Sequence, residues 1–166
     1  MCSSAWPIPA GVDVDDIGYR STDGFPEPFT LTSTGTWSVY LDGYQDTIGT
    51  ATLTVYLVPA NAVSTIVTGG AVATVATTVI TQNGRITFSG SVGTTVTNEV
   101  TAASGGWTNG NVFVSLLRPD GSDASELGWG YAGTTFSTFT LDASGTWTMF
   151  LDGYLLNVGG VTVKLS

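Results

Sequence analysis

The chain has 166 residues, of which 42% are hydrophobic, so it can bury a real core as one domain or one and a half. Only 10% are charged, the net charge is −9, and the cations are Arg20, Arg85, Arg118 and Lys164. Such an acidic balance repels phosphate backbones and anionic lipid headgroups, which argues against nucleic acid and membrane surfaces as partners.

Residues 1–27 read as irregular, punctuated by Pro7, Pro9, Gly11, Gly18, Gly24 and Pro26. Met1 to Pro7 shows neither the basic start nor the apolar run of a signal peptide. No apolar run approaches the ~20 residues of a membrane helix. Cys2 is the single cysteine, so no internal disulfide can form. From Phe29 the text turns periodic. Trp37, Val39 and Leu41 alternate with Ser38 and Tyr40, which predicts a strand with the Trp face inward. Asp42-Gly43 is a turn signal, and Ala51 to Val58 predicts the next strand.

Residues 63–110 bring four more predicted strands: Val63–Val67, Val72–Ala76, Arg85–Ser89 with Ile86 and Phe88 inward, and Thr94–Val100. Ser104 to Gly110 reads as a loop carrying Trp107. Val112–Leu117 is a strand that leads into Arg118-Pro-Asp-Gly121, where Pro presets φ and Gly accepts the left-handed position. The remainder predicts a strand ending at Leu151 and a last one over Val161–Leu165.

These last residues have been met before. Phe29-Thr-Leu-Thr-Ser-Thr-Gly-Thr-Trp37 to Tyr44 returns 110 residues later as Phe139-Thr-Leu-Asp-Ala-Ser-Gly-Thr-Trp147 to Tyr154. The same offset pairs Pro9 with Pro119, Tyr19 with Trp129, Gly49 with Gly159 and Thr52 with Thr162, without a gap. A repeat this long is domain-sized. The chain therefore reads as a partial, rear-half repeat over 1–58 and a complete repeat over 59–166. Thr- and Val-rich segments at regular spacing, joined by Gly-rich turns, predict an all-β antiparallel sandwich of the jelly-roll or immunoglobulin-like kind.

Four landmarks occur in order: Val63-Ser-Thr-Ile-Val-Thr-Gly-Gly70, Asn83-Gly-Arg-Ile-Thr-Phe-Ser-Gly90, Leu117-Arg-Pro-Asp-Gly121 and Gly145-Thr-Trp147. Together with Gly-Thr-Trp-x-x-x-Leu-Asp-Gly-Tyr they resemble bacterial pre-peptidase C-terminal domains, as found in tandem in large secreted bacterial proteins. The resemblance covers residues 51–166 once and 1–56 in part. It implies an export-associated, non-catalytic β-sandwich that serves as spacer, adhesion or binding module, in an extracellular or cell-surface setting.

The chemistry available agrees with a non-enzyme. There is no histidine, so the usual general base and the commonest transition-metal ligand are missing. Ser-His-Asp and Cys-His arrangements cannot be built within this chain. No cofactor is implied. Asp13, Asp15, Asp16 and Asp23 form an acidic cluster that reads either as calcium ligands or as a solvated loop. The aromatic residues are the other candidates. Tyr40, Phe150 and Tyr56 lie opposite the core face of their strands. Tyr19 and Trp129 are repeat equivalents, as are Tyr44 and Tyr154, and Trp107 stands in its loop. Such residues pack under loops, form a protein interface, or stack sugar rings.

The partial repeat carries a further expectation. A rear half alone has open strand edges and an uncovered apolar face, which are templates for another chain. The sequence thus predicts a structural or adhesion protein that self-associates head-to-tail into an oligomer, fibre or surface array. The alternative is a carbohydrate-binding module using exposed aromatics.

Overall fold

Alternation of apolar and polar residues places the strands, and the partner strands decide which of them form. The computed structural model describes residues 28–41, 43, 48–154 and 156–166. The chain divides into two units, residues 1–50 and 51–166.

Residues 51–166 fold as an all-β sandwich of eleven strands, with no helix among the described residues. In chain order they are β1 Ala62–Thr65, β2 Ala73–Ala76, β3 Gly84–Gly90, β4 Thr95–Val96, β5 Asn98–Gly105 and β6 Val112–Leu117. There follow β7 Asp123–Gly130, β8 Thr134–Thr135, β9 Phe139–Thr140, β10 Gly145–Gly153 and β11 Gly159–Leu165. One sheet has the order β1-β3-β10-β6-β7, the other β2-β11-β5-β8, and β4 pairs with β9 separately. The inward residues of the two sheets meet in one core. From the first come Ile86, Phe88, Val112, Val114, Leu116, Trp147, Met149 and Leu151; from the second come Val75, Val100, Val161, Val163 and Leu165.

Local chemistry explains the joints. At Arg118-Pro-Asp-Gly121 the Gly121 N–H donates to the Arg118 carbonyl at 2.9 Å, with Gly121 at φ +86°, a left-handed position that favours glycine. At Thr97 the chain changes partner. Thr95 and Val96 face Thr140 and Phe139, whereas Asn98 onward pairs with β11.

The sandwich is antiparallel as expected, with one parallel pair, β1 on β3. Three expectations need correction. The strand expected over Thr94–Val100 is two, and the second runs on to Gly105. Asp123–Gly130 is a strand that alternation hides. It is an edge, two register shifts interrupt its pairing with β6, its acids face out, and Trp129 is exposed between half-buried Gly128 and buried Gly130. Lastly, residues 29–41 and 51–58 form no strand. Their repeat equivalents β10 and β11 are strands because β3 and β6 flank one while β2 and β5 flank the other.

Local features of the repeat survive nonetheless. Trp37 Nε1 donates to the Ser33 carbonyl at 3.2 Å, and Trp147 Nε1 donates to the equivalent Ala143 carbonyl at 3.1 Å.

Candidate functional site: an aromatic ledge on the outer sheet face

With Trp147, Met149 and Leu151 buried, β10 turns Thr148, Phe150 and Asp152 to the outside of the five-stranded sheet. Cross-strand register then sets their neighbours. Phe150 faces Arg85 on β3 and Ser115 on β6. Asp152 faces Phe113 on β6, and Phe113 in turn faces Trp129 on β7. The rings pack edge to face: Phe113 to Trp129 at 5.2 Å and 74°, Trp129 to Tyr154 at 5.5 Å and 86°. Beside them the Arg85 guanidinium stands 5.3 Å over the Phe150 ring, a cation–π contact.

The outer end of this ledge is wet. Trp129 is 48% and Tyr154 50% exposed. They line an open cleft of about 340 Å³ together with Gly110 and Asn111. Its wall is pinned by hydrogen bonds. Tyr154 N–H donates to the Asn111 carbonyl at 2.7 Å, and Asn111 Nδ2 donates to the Gly106 carbonyl at 2.9 Å. Flat rings with an amide rim suit stacking and hydrogen bonding. No group of three or more metal-ligating side chains occurs among the described residues.

The charged surface feature lies elsewhere, at the Pro-Asp-Gly turn. Arg118 Nη2 pairs with Asp142 Oδ2 at 2.8 Å. The Arg118 hydrogen bond holds the Asp142 carboxyl below the usual aspartate range, and Asp142 raises Arg118 in return. Asp120 is lowered too, chiefly because it accepts hydrogen bonds from the Ser122 hydroxyl at 2.7 Å and the Ser122 N–H at 2.9 Å. All three groups are solvent-exposed turn chemistry.

Of the residues singled out from sequence, Trp129, Tyr154 and Phe150 share this sheet face. Phe113, which completes the ledge, has Ser3 as its repeat equivalent, so the repeat hides it. Its place opposite Val112, Val114 and Leu116 in the alternation was the available signal. Trp107 is a core residue and not a surface one. It is fully buried, its Nε1 donating to the Asn157 carbonyl at 3.0 Å, because Gly153 and Gly159 leave room for its ring. Tyr40 and Tyr56 are exposed, on stretches without strand structure. Tyr19, Tyr44, Asp13, Asp15, Asp16 and Asp23 lie outside the described residues.

Compared with known proteins, the sequence matches no protein-family model and no curated protein. Among solved structures the chain is similar to the pre-peptidase C-terminal domain of collagenase from Bacillus anthracis. Identity is 11% over 65% of this chain and 98% of that one, with a TM-score of 0.44. It is also similar to Aeromonas hydrophila PliG, a periplasmic inhibitor of g-type lysozyme, at 16% identity over 64% of this chain and 100% of that one, with a TM-score of 0.44. The first of these is the kind of domain that the sequence motifs resemble. The sandwich assignment itself stands on the strands and core described above.

Proposed function

We propose that the protein is a non-catalytic structural and adhesive β-sandwich module. It works outside the cytoplasm or at a cell surface, and it associates with further repeats of its own kind through its partial repeat. One observation carries this reading: apolar residues of the partial repeat are exposed where their equivalents are core. Leu41 is 59% exposed and Leu151 is 0%; Val39 is 47% exposed and Met149 is 0%. Leu53 and Val55, equivalents of the buried Val163 and Leu165, are exposed as well. Burying each such side chain contributes roughly 1.5–3 kcal/mol. A few of them amount to a large part of a domain's net stability of about 5–15 kcal/mol. Light scattering of the purified chain, with a negative-stain grid from the same fraction, tests it. Species heavier than 17.1 kDa that grow with concentration are expected. A 17.1 kDa monomer at every concentration, with or without other repeats of this type, overturns it.

A second reading rests on the ledge. Trp129 and Tyr154 present ring surface beside the Asn111 amide, which suits a sugar ring stacked on an aromatic and hydrogen-bonded at its edge. Quenching of tryptophan emission by soluble polysaccharides, lost in Trp129→Ala, is the expected result. No response across plant, chitin and bacterial cell-wall glycans sinks it.

A further inference from the structure

Charge is spread unevenly along this chain. Every Asp, Glu, Lys and Arg lies at or before Asp46, or at or after Arg85. The uncharged run between them holds residues 51–58, β1 and β2. Elsewhere a net charge of −9 sets copies of the chain against one another, so the neutral run is where they can meet without repulsion.

The edges of the two main sheets are β1 and β7 in one, β2 and β8 in the other. β7 carries outward Asp123 and Glu126 and two register shifts, and β8 is a strand of only Thr134 and Thr135. Charge, irregularity and shortness are the usual guards against an added strand. β1 and β2 carry neither charge nor proline. Of these, β1 alone exposes an apolar branched side chain, Val63, where the exposed residues of β2 are Thr74 and Ala76. β1 also pairs with β3 in unbroken register. Ala62 N–H donates to the Asn83 carbonyl and Ile66 N–H to the Thr87 carbonyl, both at 2.9 Å. The period of two then turns the N–H and C=O groups of Val63 and Thr65 away from β3, to the open side, where no main-chain bond meets them among the described residues.

Residues 51–58, Ala-Thr-Leu-Thr-Val-Tyr-Leu-Val, hold no charge, Gly or Pro, the composition of a strand that adds to an open edge. Their repeat equivalent is β11, yet here they form no strand, and Leu53, Val55, Tyr56 and Leu57 are exposed. Nor do they fold back on their own β1. The connector that follows is tied down instead, Gln82 Nε2 donating to the Ala60 carbonyl at 2.7 Å. We propose that copies of this chain join at β1: residues 51–58 of one copy add as a strand beside β1 of a second. The inference rests on the association reading above and names the strand and the edge in it. Main-chain bonds to Val63 and Thr65 hold the added strand, and apolar side chains on one of its faces lie beside Val63.

The test compares the full chain with two variants by sedimentation across a concentration series. Val63→Pro removes the outward N–H while keeping the Ala62 and Ile66 bonds to β3. Val55→Lys puts a charge into the added strand at an exposed position outside every strand of the single copy, and it lowers the net negative charge, so general repulsion cannot explain a loss. Each variant should associate at least about tenfold more weakly than the parent, with unchanged near-UV circular dichroism. In the parent, amide exchange at Val63 and Thr65, resolved by NMR, should slow as concentration rises. Should Val63→Pro lose its near-UV signal, Val55→Lys and the parent's amide exchange decide. Undiminished association in either folded variant, or Val63 and Thr65 amides indifferent to concentration in a parent that associates, overturns the β1 edge and leaves the association reading standing. A parent that stays monomeric at every concentration overturns both.

Discussion

The same substitution at two repeat-equivalent glycines should have opposite consequences. At Gly159 a Cβ would lie 2.5 Å from the Ser104 carbonyl oxygen, 2.7 Å from Trp107 Cγ and 2.8 Å from Trp107 N. Two of these three atoms are backbone, so no side-chain rotation relieves the clash, and β5 must shift against β11. Overpacking a tight core costs typically about 1–3 kcal/mol, and backbone contact places Gly159→Ala near the upper end, about 3 kcal/mol. For a unit near a hundred residues each kcal/mol lowers Tm by roughly 4 °C, so a drop of about 12 °C is expected. At Gly49 a Cβ meets nothing within 4 Å among the described residues, so Gly49→Ala should stay within about 0.5 kcal/mol of the parent. Thermal unfolding of the two full-length variants, followed by near-UV circular dichroism, reads both. Equal losses at the two sites, or a silent Gly159→Ala, would refute the claim that a seated tryptophan distinguishes them.

The repeated tryptophans give a parallel comparison. Trp147→Ala should cost about 3–5 kcal/mol, because Trp147 is fully buried against Phe139. Trp37→Ala, in the uncovered copy, should cost about 1 kcal/mol or less in urea unfolding of the isolated chain. Asn98 is fully buried, and neither its Nδ2 nor its Oδ1 has a partner among the described residues. Asn98→Leu should therefore raise stability by about 1–3 kcal/mol; a loss in urea midpoint would show that the amide is satisfied. The carboxyls of Asp142 and Asp120 are lowered in the folded state. Their contribution is present above the ordinary aspartate pKa and is lost as pH falls through the lowered value. In carboxyl NMR titrations Arg118→Ala should return Asp142 toward the ordinary range. Asp120 should remain low because Ser122 is its main cause.

Much of the sandwich could be read from the chain, and the exceptions share one cause. Alternation located β6, β10 and β11 and oriented Ile86 and Phe88, because one apolar face per strand is a local property. Direction is not local. Nothing in Ala62–Thr65 says that it will lie parallel to β3. Nor is pairing local. Residues 35–41 and 145–151 carry nearly one pattern, yet among the described residues only the second has flanking strands and becomes one. Trp107 lies in a turn, as its neighbours Gly105, Gly106 and Gly110 indicate, but nothing local shows that it is buried. Its burial depends on two glycines some fifty residues away. For the ledge, the repeat paired aromatic positions at Trp129 and Tyr154. Their approach to Phe113 follows from the β6–β7 register, which passes through two irregularities that no sequence pattern announced.

The position of β11 has a consequence for synthesis. This strand, the last of the repeat, lies between β2 and β5 in the interior of its sheet. While a chain is being made, β2 therefore has no native neighbour in its sheet, and β5 none but the two-residue β8, until Leu165 has emerged, an interval on the order of seconds at typical elongation rates. Throughout that interval the stretch already made at residues 29–49 offers a near-copy of the missing half. Should β2 and β5 pair with that stretch first, the order of manufacture would set a kinetic trap of the kind characteristic of repeat proteins. On this hypothesis refolding of the parent chain shows a slow phase that reports release from the misplaced pairing. Gly49→Leu, which spoils the misplaced pairing and not the native one, should remove it; an unchanged slow phase in stopped-flow refolding would count against the trap.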